Sequence, residues 1–245
     1  MAKQTGVIKI EGTVGNLTFY TTKDGSFVRE KTKAREITND RVKENMQEFA
    51  KAASAGALVR KTFATIINDI KDTYLIRRLS QELAQVIKSD KVNPRGFRRV
   101  PDGNIELLNG FELNSDIALS TALKTPYTAE IDRATGVMKL DVPAFNPGKL
   151  IVAPPAASHF RFTIAGAMIN FETGEHLMAL NAGEELPLSK TEGPAISLEV
   201  QLPVTGTAPL ILALGLSFYQ EVNGIYYSVG EGFYNALAFV AVSGS

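Results

Sequence analysis

Near residue 105 the apolar periodicity of this chain changes from 3.6 to 2 and does not change back. Helices gathered ahead of a long block of strands cannot build alternating βαβ units. The chain is therefore expected to be α+β, with its strands paired antiparallel. At 245 residues it can bury roughly 70–75% of the surface exposed when unfolded, enough for one large domain or two modest ones.

The helical block begins where Thr38, Asn39 and Asp40 offer N-cap oxygens. Val42, Met46, Phe49 and Ala53 follow at spacings of three and four, and Val59, Phe63, Ile66, Ile67 and Ile70 continue a stripe expected to face the core. Ala50, Ala52, Ala53, Ser54, Ala55, Gly56 and Ala57 make a thin flank where another backbone can approach. Asp72-Thr73 opens a second helix carrying Leu75, Leu79, Leu83, Val86 and Ile87, which Asn93-Pro94 brings to an end. The two helices are expected to form an antiparallel pair.

Beyond them Tyr127, Ala129 and Ile131 alternate with polar residues, as do Met138, Leu140 and Val142, then Phe160, Phe162 and Ile164, then Ile196, Leu198, Val200 and Leu202. Asn223-Gly224 between Leu210–Val222 and Ile225–Val229 is a hairpin signature, and Phe233–Val242 reads as a last strand. These strands are expected to form an antiparallel β-sandwich. Ahead of the helices, Val7, Ile8, Ile10, Leu17, Phe19, Tyr20, Phe27 and Val28 read as short strands with a turn at Asp24-Gly25. A lone hairpin is marginal in water, so this one needs a surface to pack on. The expected organisation is a β-hairpin arm at 1–37, a helical segment at 38–92, a basic linker at 93–106 and a sandwich at 107–245.

Charge follows the same division. Residues 1–100 hold 20 Lys and Arg against 11 Asp and Glu, and residues 101–245 hold 6 against 15, so a net charge of zero hides +9 and −9. Such a split suits two uses: gripping a polyanion, or docking the basic part of one copy on the acidic part of another. Lys91, Arg95, Phe97, Arg98 and Arg99 form the densest basic patch, with an aromatic that can stack on a base. No helix-turn-helix, zinc or paired-aromatic motif accompanies it.

Chemical sites are sparse. With no Cys there is no disulfide, thiolate metal site or cysteine nucleophile. Glu172, Glu175 and His176 cluster at a turn, but His159 lies 17 residues away on another expected strand, and a structural metal site usually needs four placed ligands. Gly12-Thr13-Val14-Gly15 lacks the Gly-Lys-Ser/Thr ending of a phosphate loop. No serine sits in an elbow motif, and Asp132 and Asp141 flank a solvated hairpin. The expectation is a non-enzymatic protein without metal, cofactor or small-molecule substrate. No apolar run reaches the ~20 residues of a membrane span, and the opening residues lack a secretory h-region, so cytoplasmic synthesis without membrane insertion is expected.

The string Met1-Ala2-Lys3-Gln4-Thr5-Gly6-Val7-Ile8-Lys9-Ile10-Glu11-Gly12-Thr13-Val14-Gly15-Asn16-Leu17-Thr18-Phe19-Tyr20 resembles the opening of an uncharacterised family of Bacteroidota proteins, M-A-K-Q-x-G-x-I-x-x-x-G-T-x-G-x-x-T-F-Y. The likeness continues through Arg29-Glu30-Lys31, the Arg41–Gly56 helix, Arg95-Gly96, Pro126-Tyr127-Thr128-Ala129 and Phe218-Tyr219-Gln220-Glu221-Val222-Asn223-Gly224. It implies a bacterial origin and a single evolutionary unit, and it brings no activity, cofactor or catalytic residue. The leading expectation is a structural protein that self-assembles into a filament, tube or shell. Its interface would use Val7, Ile8, Ile10, Leu17, Phe19 and Phe27 together with complementary charge. The alternative is a nucleic-acid-binding module using the basic half.

Overall fold

A computed structural model describes residues 2–6, 8–31, 38–203 and 206–244. The chain divides into two compact units, Met1–Val42 and Lys43–Ser245.

The first unit is a four-stranded antiparallel sheet: β1 (Ala2–Lys3), β2 (Gly12–Val14), β3 (Leu17–Thr22) and β4 (Gly25–Glu30), in the order β1-β4-β3-β2. The hairpin expected here is the β3–β4 pair. Its register pairs Thr22 with Gly25, so the turn residues are Lys23-Asp24 and not Asp24-Gly25. Gly25 instead opens β4 at φ +128°, a backbone conformation that side chains disfavour. The Thr22 hydroxyl closes the turn by accepting from the Asp24 N–H at 3.2 Å.

Helix α1 (Asp40–Thr62) has its first turn in the first unit and the rest in the second, where the short α2 (Ala64–Ile67) and α3 (Leu75–Ser89) follow. Asn39 caps α1, its Oδ1 accepting from the Arg41 N–H at 2.9 Å. The thin flank of α1 meets α3, because a Cβ at Gly56 would lie within 4 Å of Leu79, Ser80 and Leu83. That contact decides the phase of α1. Ala52, Ala55, Gly56 and Val59 are buried, whereas Val42, Met46 and Phe49, expected in the core, stand in solvent, Phe49 at 60% exposure. At 100° per residue the Val42-Met46-Phe49-Ala53 row lies about 100° around the helix from the centre of the Ala52-Ala55-Gly56-Val59 face, and its later member Ala53 is half-buried.

The strands follow as β5 (Thr128–Asp132), β6 (Val137–Val142), β7 (His159–Ile169), β8 (His176–Ala182), β9 (Leu186–Pro187), β10 (Ile196–Gln201), β11 (Leu210–Val222), β12 (Ile225–Ser228) and β13 (Ala236–Ser243). They form a three-stranded sheet, β10-β6-β5, and a six-stranded sheet built on β12-β11-β7-β8, with β13 on β11 and β9 on β7. All recorded pairings are antiparallel.

The large sheet is covered on both faces. Phe160, Phe162, Ile164, Leu212, Leu214 and Phe218 pack toward Met138, Leu140, Leu198 and Val200 of the small sheet. Their sequence neighbours Ala165, Ala167, Ile169, Ile211 and Ala213 pack with Val59, Phe63, Leu79, Leu83 and Ile87 of the helices. Helices, large sheet and small sheet thus make three layers. This explains why β7 alternates up to Thr163 and is buried without interruption from Ile164 to Ile169.

The segment expected as a basic linker, 93–106, is part of this body. Val100 and Ile105 are buried with the helical layer. Gly103 lies so close to α3 that a Cβ there would run into the Val86 carbonyl group. Gly103→Ala is expected to lower stability by about 2 kcal/mol, the usual cost of an overpacked contact. Urea unfolding checks this; an unchanged midpoint would mean that the segment is not docked.

Candidate functional site

The basic patch sits on a loop pinned from beneath. The Asp90 carboxylate accepts from the Val92, Asn93 and Arg99 backbone N–H groups at 2.8, 3.0 and 3.1 Å, and from the Asn93 side chain at 2.9 Å. The buried Glu48 accepts from the Gly96 N–H at 2.8 Å, while Lys51 donates to the Gly96 and Arg98 carbonyls at 3.0 Å each. The arginines do not act as one patch. Arg95 bonds Asn45 and approaches Glu44 at 3.5 Å, and Arg99 bridges Asp102 and Glu172. Lys91 and Phe97 are exposed, and Arg98 is half-buried.

Burial pushes the Asp90 pKa up, but the Asn93 side-chain bond and the three backbone N–H bonds outweigh it, and the carboxyl is lowered to about 2. Its contribution to stability is therefore complete above the ordinary carboxylate pKa of ~4 and is lost as pH falls toward 2. Asp90→Asn is expected to cost about 2 kcal/mol at pH 7, because it turns a buried acceptor into a partial donor facing N–H groups. The gap between wild type and variant should narrow between pH 4 and pH 2 in urea unfolding. A gap independent of pH would contradict this account of the loop.

The residues expected in self-association are distributed over both faces of the N-terminal sheet. The register puts Ala2, Val14, Leu17, Phe19 and Val28 on one face, and Lys3, Tyr20, Phe27 and Arg29 on the other. Phe27 stacks on Tyr20 at 6.0 Å between ring centres, with the Arg29 guanidinium 5.6 Å from the Tyr20 ring. Leu17 and Phe19 therefore do not share a surface with Phe27. Ile8 and Ile10 lie in the segment leading into β2. The Ile10 N–H and C=O are bonded by the Gln4 side-chain amide at 3.1 and 3.3 Å. Ile8 is 83% exposed and Val14, which the sequence reading did not single out, 65%. Val7 lies outside the described residues.

The two histidines are far apart. His159 opens β7 and His176 pairs with Ile169 at its other end, ten residues along the strand and so roughly 33 Å away. His159 bonds the Ser158 hydroxyl and meets the Tyr226 ring edge-on; His176 bonds the Gly174 carbonyl. Among the described residues no group of three His, Asp or Glu is placed to hold a metal ion. A cleft of about 550 Å³ is lined in part by Arg99, Asp102, Glu106, Asn170 and Glu172. The Arg99 bridge crosses its wall, and Asp102 also accepts from the Asn93 amide at 2.8 Å.

Two further exposed apolar surfaces emerge only in three dimensions. One is the outer row of α1, Val42, Met46 and Phe49. The other is the end of the β11–β12 hairpin with the residues after it: Val222, Ile225, Tyr226, Tyr227, Phe233 and Tyr234. Among the described residues no helix is long and apolar enough to cross a membrane. In comparisons with known proteins, no family model, no curated protein and no solved structure matches this chain.

Proposed function

We propose that this chain is a non-enzymatic structural protein that assembles with copies of itself into a filament, tube or shell, using its N-terminal sheet as the connecting element. One observation carries the reading. Among the described residues of 2–31, Ser26 alone is buried, so this sheet is a single layer with an apolar face and no second layer of its own. Sheets are stable when an apolar face is covered, and a partner subunit supplies the missing cover. Each large apolar side chain taken from water contributes roughly 1.5–3 kcal/mol, so a few can hold a contact after the cost of association. The first unit carries 8 Lys and Arg against 5 acidic residues and the second 18 against 21, so unlike units of successive copies attract, which is the arrangement that propagates a polymer or closes a ring. A nucleic-acid module has less support, since Arg95 and Arg99 already meet carboxylates.

Removing residues 1–30 is expected to leave a folded, soluble monomer, as read by circular dichroism, light scattering and negative-stain microscopy, while the full chain assembles. A truncated protein that still polymerises would overturn the reading, and one that unfolds would assign the sheet to the body's own core. Assembly of the full chain should also start faster at 0.01 M salt than at 0.15 M, because the Debye length shortens from ~30 Å to ~8 Å. Equal rates would remove the electrostatic contribution.

A further inference from the structure

The β11–β12 hairpin turns at Asn223-Gly224, both at positive φ (54° and 79°), which closes the ladder at the Val222–Ile225 pair. In such a ladder, pairs that exchange hydrogen bonds alternate with pairs that do not. Val222–Ile225 and Gln220–Tyr227 are bonded pairs. Glu221–Tyr226 and Tyr219–Ser228 are not, so Tyr226 and Ser228 turn their N–H and C=O groups away from β11. Among the described residues β12 pairs with β11 alone, and all four of its residues are exposed. Native edges are usually guarded by lysine, proline or a bulge. This one reads Ile-Tyr-Tyr-Ser, and the chain carries no Lys or Arg after Lys190.

The N-terminal sheet presents the complementary edge. Its outer strand β2 is closed on β3 by the two-residue Gly15-Asn16 turn, so the same alternation directs the Thr13 N–H and C=O outward. The run into it, Ile8-Lys9-Ile10-Glu11-Gly12-Thr13-Val14, alternates in polarity and exposes Ile8, Ile10 and Val14. Charge favours the match. Residues 1–31 carry five Lys and Arg against three acidic groups, whereas residues 219–234 carry Glu221 and Glu231 and no Lys or Arg, with Glu231 bonded to Lys71.

We propose that β12 is the acceptor edge to which Ile8–Val14 of a second copy adds as a strand, joining the sheets of successive subunits. Strand addition couples backbone hydrogen bonds to side-chain contacts on alternate faces, and Ile225 and Tyr227 flank one face of this edge, Tyr226 the other. The two surfaces differ, so the contact is head-to-tail. The inference rests on the assembly reading above and adds the identity of the acceptor.

The test compares assembly of the full chain with three variants by sedimentation velocity and light scattering. Tyr226→Pro removes an outward N–H without touching a ladder donor, Tyr227→Lys guards the edge while keeping the backbone, and Phe49→Lys alters the rival surface on α1. The first two are expected to raise the concentration for half-assembly at least tenfold with unchanged circular dichroism, and Phe49→Lys to leave it as in wild type. If Tyr226→Pro misfolds, Tyr227→Lys decides. Normal assembly of a folded β12 variant, or loss of assembly in Phe49→Lys alone, overturns the acceptor while leaving the assembly reading intact. A wild-type protein that stays monomeric, or a chain lacking residues 1–30 that assembles normally, removes both.

Discussion

Burial of β7 and β11 on both faces is the constraint from which the rest of the body follows. Phe160, Phe162, Ile164 and Met168 meet the small sheet, with Gly166 between them leaving room for Met138 and Val200, while Ala165 and Ala167 keep the opposite face shallow enough for the helices to come close. The same logic repeats in β11, where Leu212 and Leu214 alternate with Ile211 and Ala213. Buried polar groups fasten the layers. Asn235 donates to the Asp69 carbonyl at 2.9 Å and accepts from the Phe218 N–H at 3.3 Å, while Asn114 donates to the Asn235 carbonyl at 2.7 Å. Each is the kind of bond that costs stability when its partner is removed.

The N-terminal sheet is the opposite case. It has strands, turns and cross-strand pairs, yet one layer. What it lacks is what an edge such as β12 and a basic–acidic division can supply between copies. The assembly reading joins three independent properties: a sheet face without a second layer, an unguarded edge strand, and opposite charge at the two ends of the sequence. Each alone is common in soluble proteins; together they favour an unlike-surface contact that repeats.

Much of this architecture was legible in the residues. The alternation of Met138, Leu140 and Val142 gave β6 its buried face, and Asn223-Gly224 marked the β11–β12 hairpin, because both signals are local. The phase of α1 was not legible. Val42, Met46 and Phe49 form as good a stripe as Ala52, Ala55 and Val59, and the choice depends on how closely Gly56 lets α3 approach. The docking of 93–106 was hidden for a related reason: its anchors, Glu48, Lys51 and Asp90, are charged residues that sequence patterns assign to the surface. Strand β8 went unmarked because His176–Ala182 mixes exposed and half-buried residues without clean alternation. Of the candidate surface, Ile8 and Leu17 could be named in advance as apolar strand residues. That Tyr226 and Ser228 face outward from a terminal strand depends on long-range pairing, which no short window contains.

Hydrogen exchange followed by mass spectrometry at increasing protein concentration tests the central claim most directly. In dilute monomer, amides of β7 and β11 should exchange only through global unfolding, while those of residues 2–31 exchange far faster through local opening. As copies associate, residues 2–31 and β12 should gain protection together while β7 and β11 stay unchanged. Residues 2–31 as protected in dilute monomer as β11, or no gain in protection on association, would contradict the account.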